Sequence, residues 1–105
     1  GFYDAVHFFQ KLRQMGKQPE IVEMCHKLLG PVLRYDEEHK TQLTDTFRCL
    51  LVNNENVKKT AEQLFIHKNT VLQRKNKLTE LFGYSPFDMP YRLNFLMIFD
   101  IMEKK

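Results

Sequence analysis

The chain has 105 residues and a net charge of +3, with 43% hydrophobic and 28% charged residues. This length and composition are typical of one small globular domain, and they exclude an intrinsically disordered chain. The longest apolar run, residues 95–99, is far shorter than the roughly 20 residues that cross a bilayer, so we expect no contact with a membrane. The chain begins with Gly1 rather than Met, from which we expect a piece of a longer protein.

Apolar residues recur every three or four positions along the whole chain, and no segment alternates with the period of two that strands show. The few Gly and Pro residues divide this pattern into six or seven helices. We expect Gly16 to end the first helix in a left-handed conformation and Gly30-Pro31 to end the second, while Thr41 caps a later one. The sequence therefore predicts an all-α, multi-helix bundle.

We assign the whole chain, residues 1–105, to a single domain. Within it we distinguish a helical lead-in over residues 1–40, a core over residues 41–83 and an apolar C-terminal helix within residues 84–105. The first and last helices both carry more apolar side chains than one core can absorb. We expect them to pack together and to leave an apolar patch for a second subunit or for a missing N-terminal regulatory domain.

The positive charge is concentrated in one stretch of the chain. Residues 1–53 carry seven basic and seven acidic side chains, residues 83–105 carry three of each, and residues 54–82 carry six basic and three acidic. The whole excess of +3 thus lies in residues 54–82. A local excess of Lys and Arg is typical of surfaces that bind nucleic acids, although a solvated helical face can carry the same charges.

Residues 56–83, NVKKTAEQLFIHKNTVLQRKNKLTELFG, have the pattern of a helix, a tight turn and a second helix. Asn56 can cap the first helix, and residues 65–67 form the corner with Ile66 pointing inward. The second helix is expected over about residues 68–82.

The second helix has two contrasting faces. Val71, Leu78 and Phe82 form an apolar stripe, while the opposite face carries amides and is flanked by Thr and Lys side chains. Amides can bond base edges in pairs, and cations neutralise phosphates. The pattern therefore predicts a helix-turn-helix whose second helix lies in the major groove of double-stranded DNA.

The same segment resembles the helix-turn-helix of the PucR/CdaR family of bacterial regulators, whose motif is similar to that of the Fis-type DNA-bending proteins. The resemblance covers about residues 20–101, and residues 28–43 look like that family's lead-in to the motif. It implies a C-terminal DNA-binding domain that follows larger sensory or dimerising domains. The residues that carry it are Asn56-Val57, Thr60-Ala61, Leu64-Phe65-Ile66-His67, Asn69-Thr70-Val71, Arg74, Lys77-Leu78, Glu80-Leu81 and Gly83.

Three positions depart from the family pattern. Leu72 stands where the family usually has Arg, Gln73 where it often has Tyr, and Lys75 where an apolar residue normally packs. We expect the Lys75 stem to pack on the core while its ammonium group reaches out to solvent. Leu72 leaves the base preference open, and its side chain can contact a thymine methyl group.

Ten residues are our candidates for DNA contact, and four of them are candidates for reading bases. Lys68, Asn69 and Gln73 belong to the start of the second helix, which proteins of this motif present to the groove. The fourth candidate is Leu72, whose side chain can contact a thymine methyl group.

The remaining six candidates are assigned to phosphates or to the frame of the motif. Thr70 can contact a phosphate or cap the helix, and His67 can contact a phosphate or pack on the preceding helix. Arg74 can contact DNA or pair with Glu62 or Glu80. The three candidates for simple phosphate contact are Lys58, Lys59 and Lys77.

The sequence gives no indication of catalysis or of a cofactor. The four histidines have no metal-ligand spacing with one another or with the two cysteines, so we expect no metal site. We interpret the acidic run at residues 36–38 as solvated. Cys25 and Cys49 lie in apolar surroundings without a CxxC pattern, which favours buried thiols in the cytoplasm but does not exclude a disulfide.

We therefore predict the sequence-specific DNA-binding domain of a bacterial transcription regulator, acting as a dimer because one recognition helix contacts few bases. The alternative is a helical dimerisation or signalling module whose helix-turn-helix no longer binds DNA. The departures at positions 72 and 75 are the evidence for that alternative.

Overall fold

The computed structural model describes residues 1–103, and that range contains six helices and no strand, which confirms the all-α prediction. Lys104 and Lys105, the end of the expected C-terminal segment, lie outside the described residues. No helix within residues 1–103 is both long enough and apolar enough to cross a membrane. The helices are α1 (Phe2–Met15), α2 (Pro19–His39), α3 (Leu43–Val52), α4 (Val57–Leu64), α5 (Lys68–Phe82) and α6 (Tyr91–Met102).

Helix α2 continues through Gly30-Pro31, so the prediction that this pair ends the helix was wrong. Pro31 lacks the N–H that would bond to the preceding turn, which normally disfavours a helix interior. Leu29 and Val32, on either side of the pair, are 1% and 0% exposed. With both residues buried in the core, the 21 residues of α2 form one helix, and residues 1–103 contain six helices rather than seven.

Gly16 ends α1, but in a right-handed conformation, with φ −64° and ψ −14°. The expectation of a left-handed angle was therefore wrong. A Cβ atom at residue 16 would lie 2.6 Å from Cγ1 of Ile101. The glycine is required by the close approach of α6, not by its backbone angles.

Helix α1 contacts α6 through its C-terminal half only. The Arg13 guanidinium donates two hydrogen bonds to Asp100, at 3.0 and 2.9 Å. The N-terminal half is exposed, and Phe2 and Tyr3 are 86% and 80% accessible. The expected packing of the first helix on the last is thus limited to this end of α1: no residue of α1 is buried, and its apolar side chains are left largely uncovered.

Asp36 joins the end of α2 to the start of α3. One of its carboxylate oxygens accepts hydrogen bonds from the Leu43 N–H and the Thr41 hydroxyl, and the other accepts from the Thr44 N–H and hydroxyl. Gln42 occupies the N-cap position without a side-chain cap. Thr41 is therefore not the cap we expected, and Asp36 is not the solvated residue we expected. From seven residues upstream, its carboxylate satisfies donors at the start of α3.

Phe47 of α3 is completely buried at the centre of the core. Its ring lies 5.0 to 5.5 Å from four other phenylalanine rings, which belong to α5, to the loop after it and to α6. These tilted and edge-on arrangements are the ones that aromatic pairs prefer. The four partners of Phe47 are Phe82, Phe87, Phe95 and Phe99.

We expect Phe47→Ala to lower the free energy of unfolding by about 3–5 kcal/mol, because it opens a cavity among four rings. The matched control is Phe65→Ala, since Phe65 is 93% exposed, and its effect should stay within roughly 0.5 kcal/mol. Urea unfolding followed by circular dichroism measures both. Equal losses for the two variants would contradict this description of the core.

We expect Asp36→Asn to lower the free energy of unfolding by about 1–2 kcal/mol at neutral pH. Burial by itself would raise the pKa of Asp36, but the hydrogen bonds from Thr41, Thr44 and Leu43 outweigh it and hold the pKa below its ordinary value. A lowered folded-state pKa stabilises the fold above the unfolded value of about 3.9 and loses that effect as the pH falls through the folded value.

The difference in stability between the wild type and Asp36→Asn should therefore be constant near neutrality and shrink below about pH 4. The exposed neighbour Glu37 provides the control variant Glu37→Gln. Unfolding titrations from pH 3 to pH 7 measure both. A difference that does not change with pH would show that the charge of Asp36 has no part in the cap.

Candidate nucleic-acid interface

Helices α4 and α5 form the predicted helix-turn-helix. The Asn56 side chain caps α4 by accepting a hydrogen bond from the Lys59 N–H at 2.9 Å, as expected. Phe65 ends α4 in a left-handed conformation with φ 58°, and the Ile66 N–H bonds back to the Ala61 carbonyl at 3.1 Å. Ile66 packs against the core. The tight corner thus places α5 directly after α4.

His67 caps the start of α5. Its Nδ1 atom accepts a hydrogen bond from the Asn69 N–H at 3.0 Å, and its ring is exposed. The sequence left open a phosphate contact or packing on α4 for this residue. The cap is a third role that sequence reasoning missed, because His is not among the usual capping residues.

Helix α5 carries a buried face and an exposed polar face. Val71 and Leu78 are completely buried. Asn69 and Gln73, two of the base-reading candidates, are exposed, as is Lys68 at the start of the helix. All three candidates are therefore accessible, and the two amides lie on the side of α5 opposite Val71 and Leu78, where they can reach a partner.

Leu72 lies beside this polar face and is 45% exposed. No other base candidate on α5 is apolar. Its side chain is accessible to an apolar group of a partner, as a contact with a thymine methyl group would require.

Two further candidates on α5 are already engaged within the protein. Arg74 donates a hydrogen bond from Nη1 to the Thr46 hydroxyl at 2.9 Å, so the carboxylate partners Glu62 and Glu80 that we considered do not hold it. The positive charge of Arg74 is not neutralised by this contact, because the hydroxyl is uncharged. Lys77 pairs with Glu80 at 3.2 Å, and its ammonium lies 5.1 Å from the centre of the Tyr35 ring.

The remaining candidates lie at the ends of the two helices. Lys58 and Lys59 are exposed on the first turn of α4, and Thr70 is half-buried on the first turn of α5. The Thr70 N–H bonds to the His67 carbonyl at 3.0 Å. All ten candidates therefore belong to the two helices of the motif or to the corner between them.

Lys75 lies on the edge of α5 opposite to the edge that carries Arg74. Its ammonium pairs with Glu55 at 2.9 Å and lies 5.5 Å from the centre of the Phe87 ring. Its side chain is 29% exposed and ends in an ion pair that the sequence did not predict, because Glu55 is turned toward it. Glu55 has φ 64° in the turn before α4 and also pairs with Arg92 of α6 at 3.1 Å.

Glu55 and Arg92 were missed by sequence reasoning. They are 37 positions apart, and no local pattern indicates that they meet. Arg92 also donates a hydrogen bond to the Asn54 side chain at 2.7 Å. Together these contacts join the turn before α4, α5 and α6.

A second missed feature is a cleft between the end of α2 and α5, which we call the α2–α5 cleft. Its volume is about 410 Å³, and it borders the polar face of α5, because Gln73 lines both. Lys40 and Gln42 lie outside the motif, and no pattern in the sequence indicates them. The lining residues are Tyr35, Lys40, Thr41, Gln42, Leu43, Gln73, Arg74 and Lys77.

The described part of the chain offers no other obvious chemistry. Among residues 1–103, no three His, Cys, Asp or Glu side chains are grouped closely enough to hold a metal ion. Cys25 and Cys49 are both buried and free. Burial raises the pKa of the Cys25 thiol, which disfavours its reactive thiolate form.

Comparison with known proteins agrees with this geometry. The model of the PucR C-terminal helix-turn-helix domain matches residues 43–101, more than half of the chain. The chain is also 32% identical over 103 residues to the proline-responsive transcriptional activator PutR of Bacillus subtilis (strain 168), covering 98% of this chain and 25% of that protein. No solved structure matches. The chain belongs to the family of PucR C-terminal helix-turn-helix domains.

Proposed function

We propose that the domain binds double-stranded DNA in a sequence-specific manner, with α5 in the major groove, as part of a bacterial transcription regulator. The observation that carries the proposal is the polar face of α5, where Asn69 and Gln73 are exposed opposite the buried Val71 and Leu78. A helix with this division of faces can pack on its own domain and present amides to base edges. The family to which the chain belongs supports this function.

The roles of the side chains follow from their chemistry. Asn69 and Gln73 read bases, because an amide can make paired bonds to adenine. Lys68 is the third base reader, since its ammonium can donate to a guanine. Lys58, Lys59 and Lys77 contact phosphates. The hydrogen bond from the Asn69 N–H to the His67 ring caps α5 and fixes its start against the corner. Neither catalysis nor a cofactor is required.

We further propose that two copies bind together, in the cytoplasm where bacterial DNA lies. One recognition helix reads too few bases for a selective site, and two-fold related copies double that number. The chain spans a quarter of the PutR relative, so a dimerising contact can also come from a larger protein. The uncovered apolar side chains of α1, with Phe2 at 86% exposure, offer a surface for either arrangement.

The alternative of a helical module that no longer binds DNA rests on positions 72 and 75. Lys75 is held by Glu55, and Leu72 is accessible, so neither departure removes the polar face of α5. The salt dependence of DNA binding and the effect of the amide substitutions distinguish these two functions.

We expect the affinity for duplex DNA to fall steeply with salt. If about three to five phosphates are neutralised per subunit, the logarithm of the affinity should fall against the logarithm of salt concentration with a slope of about −3 to −5 per subunit. Fluorescence anisotropy titrations between 50 and about 300 mM salt measure this slope. A slope near zero would favour the alternative function.

We expect Asn69→Ala and Gln73→Ala to weaken binding to a site selected from a random duplex library by about 1–3 kcal/mol, with little loss on scrambled duplex. Lys77→Ala should weaken both duplexes alike and make the salt slope less negative by roughly one. Gln10→Ala is the control, because Gln10 is an exposed amide on α1. Equal losses on both duplexes for the amide variants would show that these side chains do not read bases.

A further inference from the structure

We propose that the α2–α5 cleft receives a phosphate of the DNA backbone, with Lys40 as its main anchor. This inference rests on the proposed function, since it extends the contact of α5 to a segment outside the helix-turn-helix. It assigns a DNA contact to the corner between α2 and α3, which the motif itself does not include.

The position of the cleft relative to α5 supports this contact. A helix in the major groove is flanked by the two phosphate backbones, and the groove is about 12 Å wide. Residues at the edges of such a helix therefore face phosphates. The cleft lies at one edge of α5, where Gln73 belongs to the base-reading face and Lys77 and Arg74 line the wall.

The charge of the cleft suits a phosphate. Three cations line it, namely Lys40, Arg74 and Lys77, and no carboxylate of the described residues is among the lining side chains. The Asp36 carboxylate lies at the same corner, where it accepts four hydrogen bonds from Thr41, Leu43 and Thr44, and Glu80 pairs with Lys77. Three cations against these two carboxylates still leave a net positive charge at the cleft, which is open to solvent.

Lys40 is the cation most available to a partner. Arg74 is bound to Thr46, and Lys77 is paired with Glu80. Lys40 is exposed, and no carboxylate among residues 1–103 lies within ion-pair distance of it. Its backbone is left-handed, with φ 56° and ψ 45°. At such a position Gly or Asn is the usual residue.

The corner itself holds Lys40 in place. The Lys40 N–H bonds to the Asp36 carbonyl, and the Asp36 carboxylate fixes the start of α3 on the other side of the turn. Gln42, exposed in the same turn, adds an amide donor to the cleft wall. A rigid turn loses little entropy when a phosphate binds to it.

The test uses Lys40→Gln, which removes the charge and keeps most of the length of the side chain. We expect it to weaken binding to both the selected and the scrambled duplex by about five- to tenfold near 100 mM salt, and to make the salt slope less negative by roughly one. Lys40→Arg should restore both quantities. Lys17→Gln is the matched control, since Lys17 is exposed in the turn after α1 and lines a different pocket.

A second measurement locates the phosphate. Duplexes carrying one neutral methylphosphonate at each successive position are titrated with the wild type and with Lys40→Gln. At one position flanking the bases read by α5, the methylphosphonate should weaken DNA binding by the wild type about five- to tenfold and leave DNA binding by Lys40→Gln unchanged. Circular dichroism and thermal unfolding verify that the variants remain folded.

The outcomes distinguish the two proposals. If Lys40→Gln binds as the wild type does while Asn69→Ala weakens binding to the selected duplex, the cleft proposal is overturned and the proposed function stands. A loss for Lys40→Gln that Lys40→Arg does not restore would also overturn it, because the charge would not be responsible. If the wild type shows no salt-dependent binding to any duplex, the proposed function fails and the cleft proposal fails with it.

Discussion

The orientation of α5 depends on the packing of rings around Phe47. Phe82, the last residue of α5, lies 5.5 Å from Phe47 and 5.0 Å from Phe95, measured between ring centres. Val71 and Leu78 bury the same face of α5 further toward its start. Because this face is committed to the core, the opposite face must point outward. The accessible amides of Asn69 and Gln73 are a consequence of where the phenylalanines lie.

Polar contacts then fix the two edges of the same helix. On one edge, Lys75 pairs with Glu55, which also pairs with Arg92 of α6. On the other edge, Arg74 bonds to Thr46 of α3. These pairs are partly exposed and contribute little stability individually. Their effect is on position, because they resist rotation of α5 about its axis and keep the polar face aligned with the corner at His67.

The α2–α3 corner shows how an acidic residue can support a positive surface. The Asp36 carboxylate accepts four hydrogen bonds from Thr41, Leu43 and Thr44, and these bonds hold the turn that carries Lys40 and Gln42 beside α5. The helical lead-in is therefore structurally continuous with the helix-turn-helix. Without Asp36, the start of α3 would lose the acceptor for two of its N–H groups, and the wall of the α2–α5 cleft would lose its support.

The sequence was enough to predict the all-α fold, the limits of α4 and α5 and the two faces of α5, because helical periodicity and caps such as Asn56 act within a few residues. It did not determine that α2 passes through Pro31, since the burial of Leu29 and Val32 decides that. Nor could it show why residue 16 is Gly, which depends on Ile101. The partners of Lys75 and Arg74 and the cleft at Lys40 were decided by the tertiary structure alone. Each of them joins residues that are distant along the chain, where no local pattern records which side chains will meet.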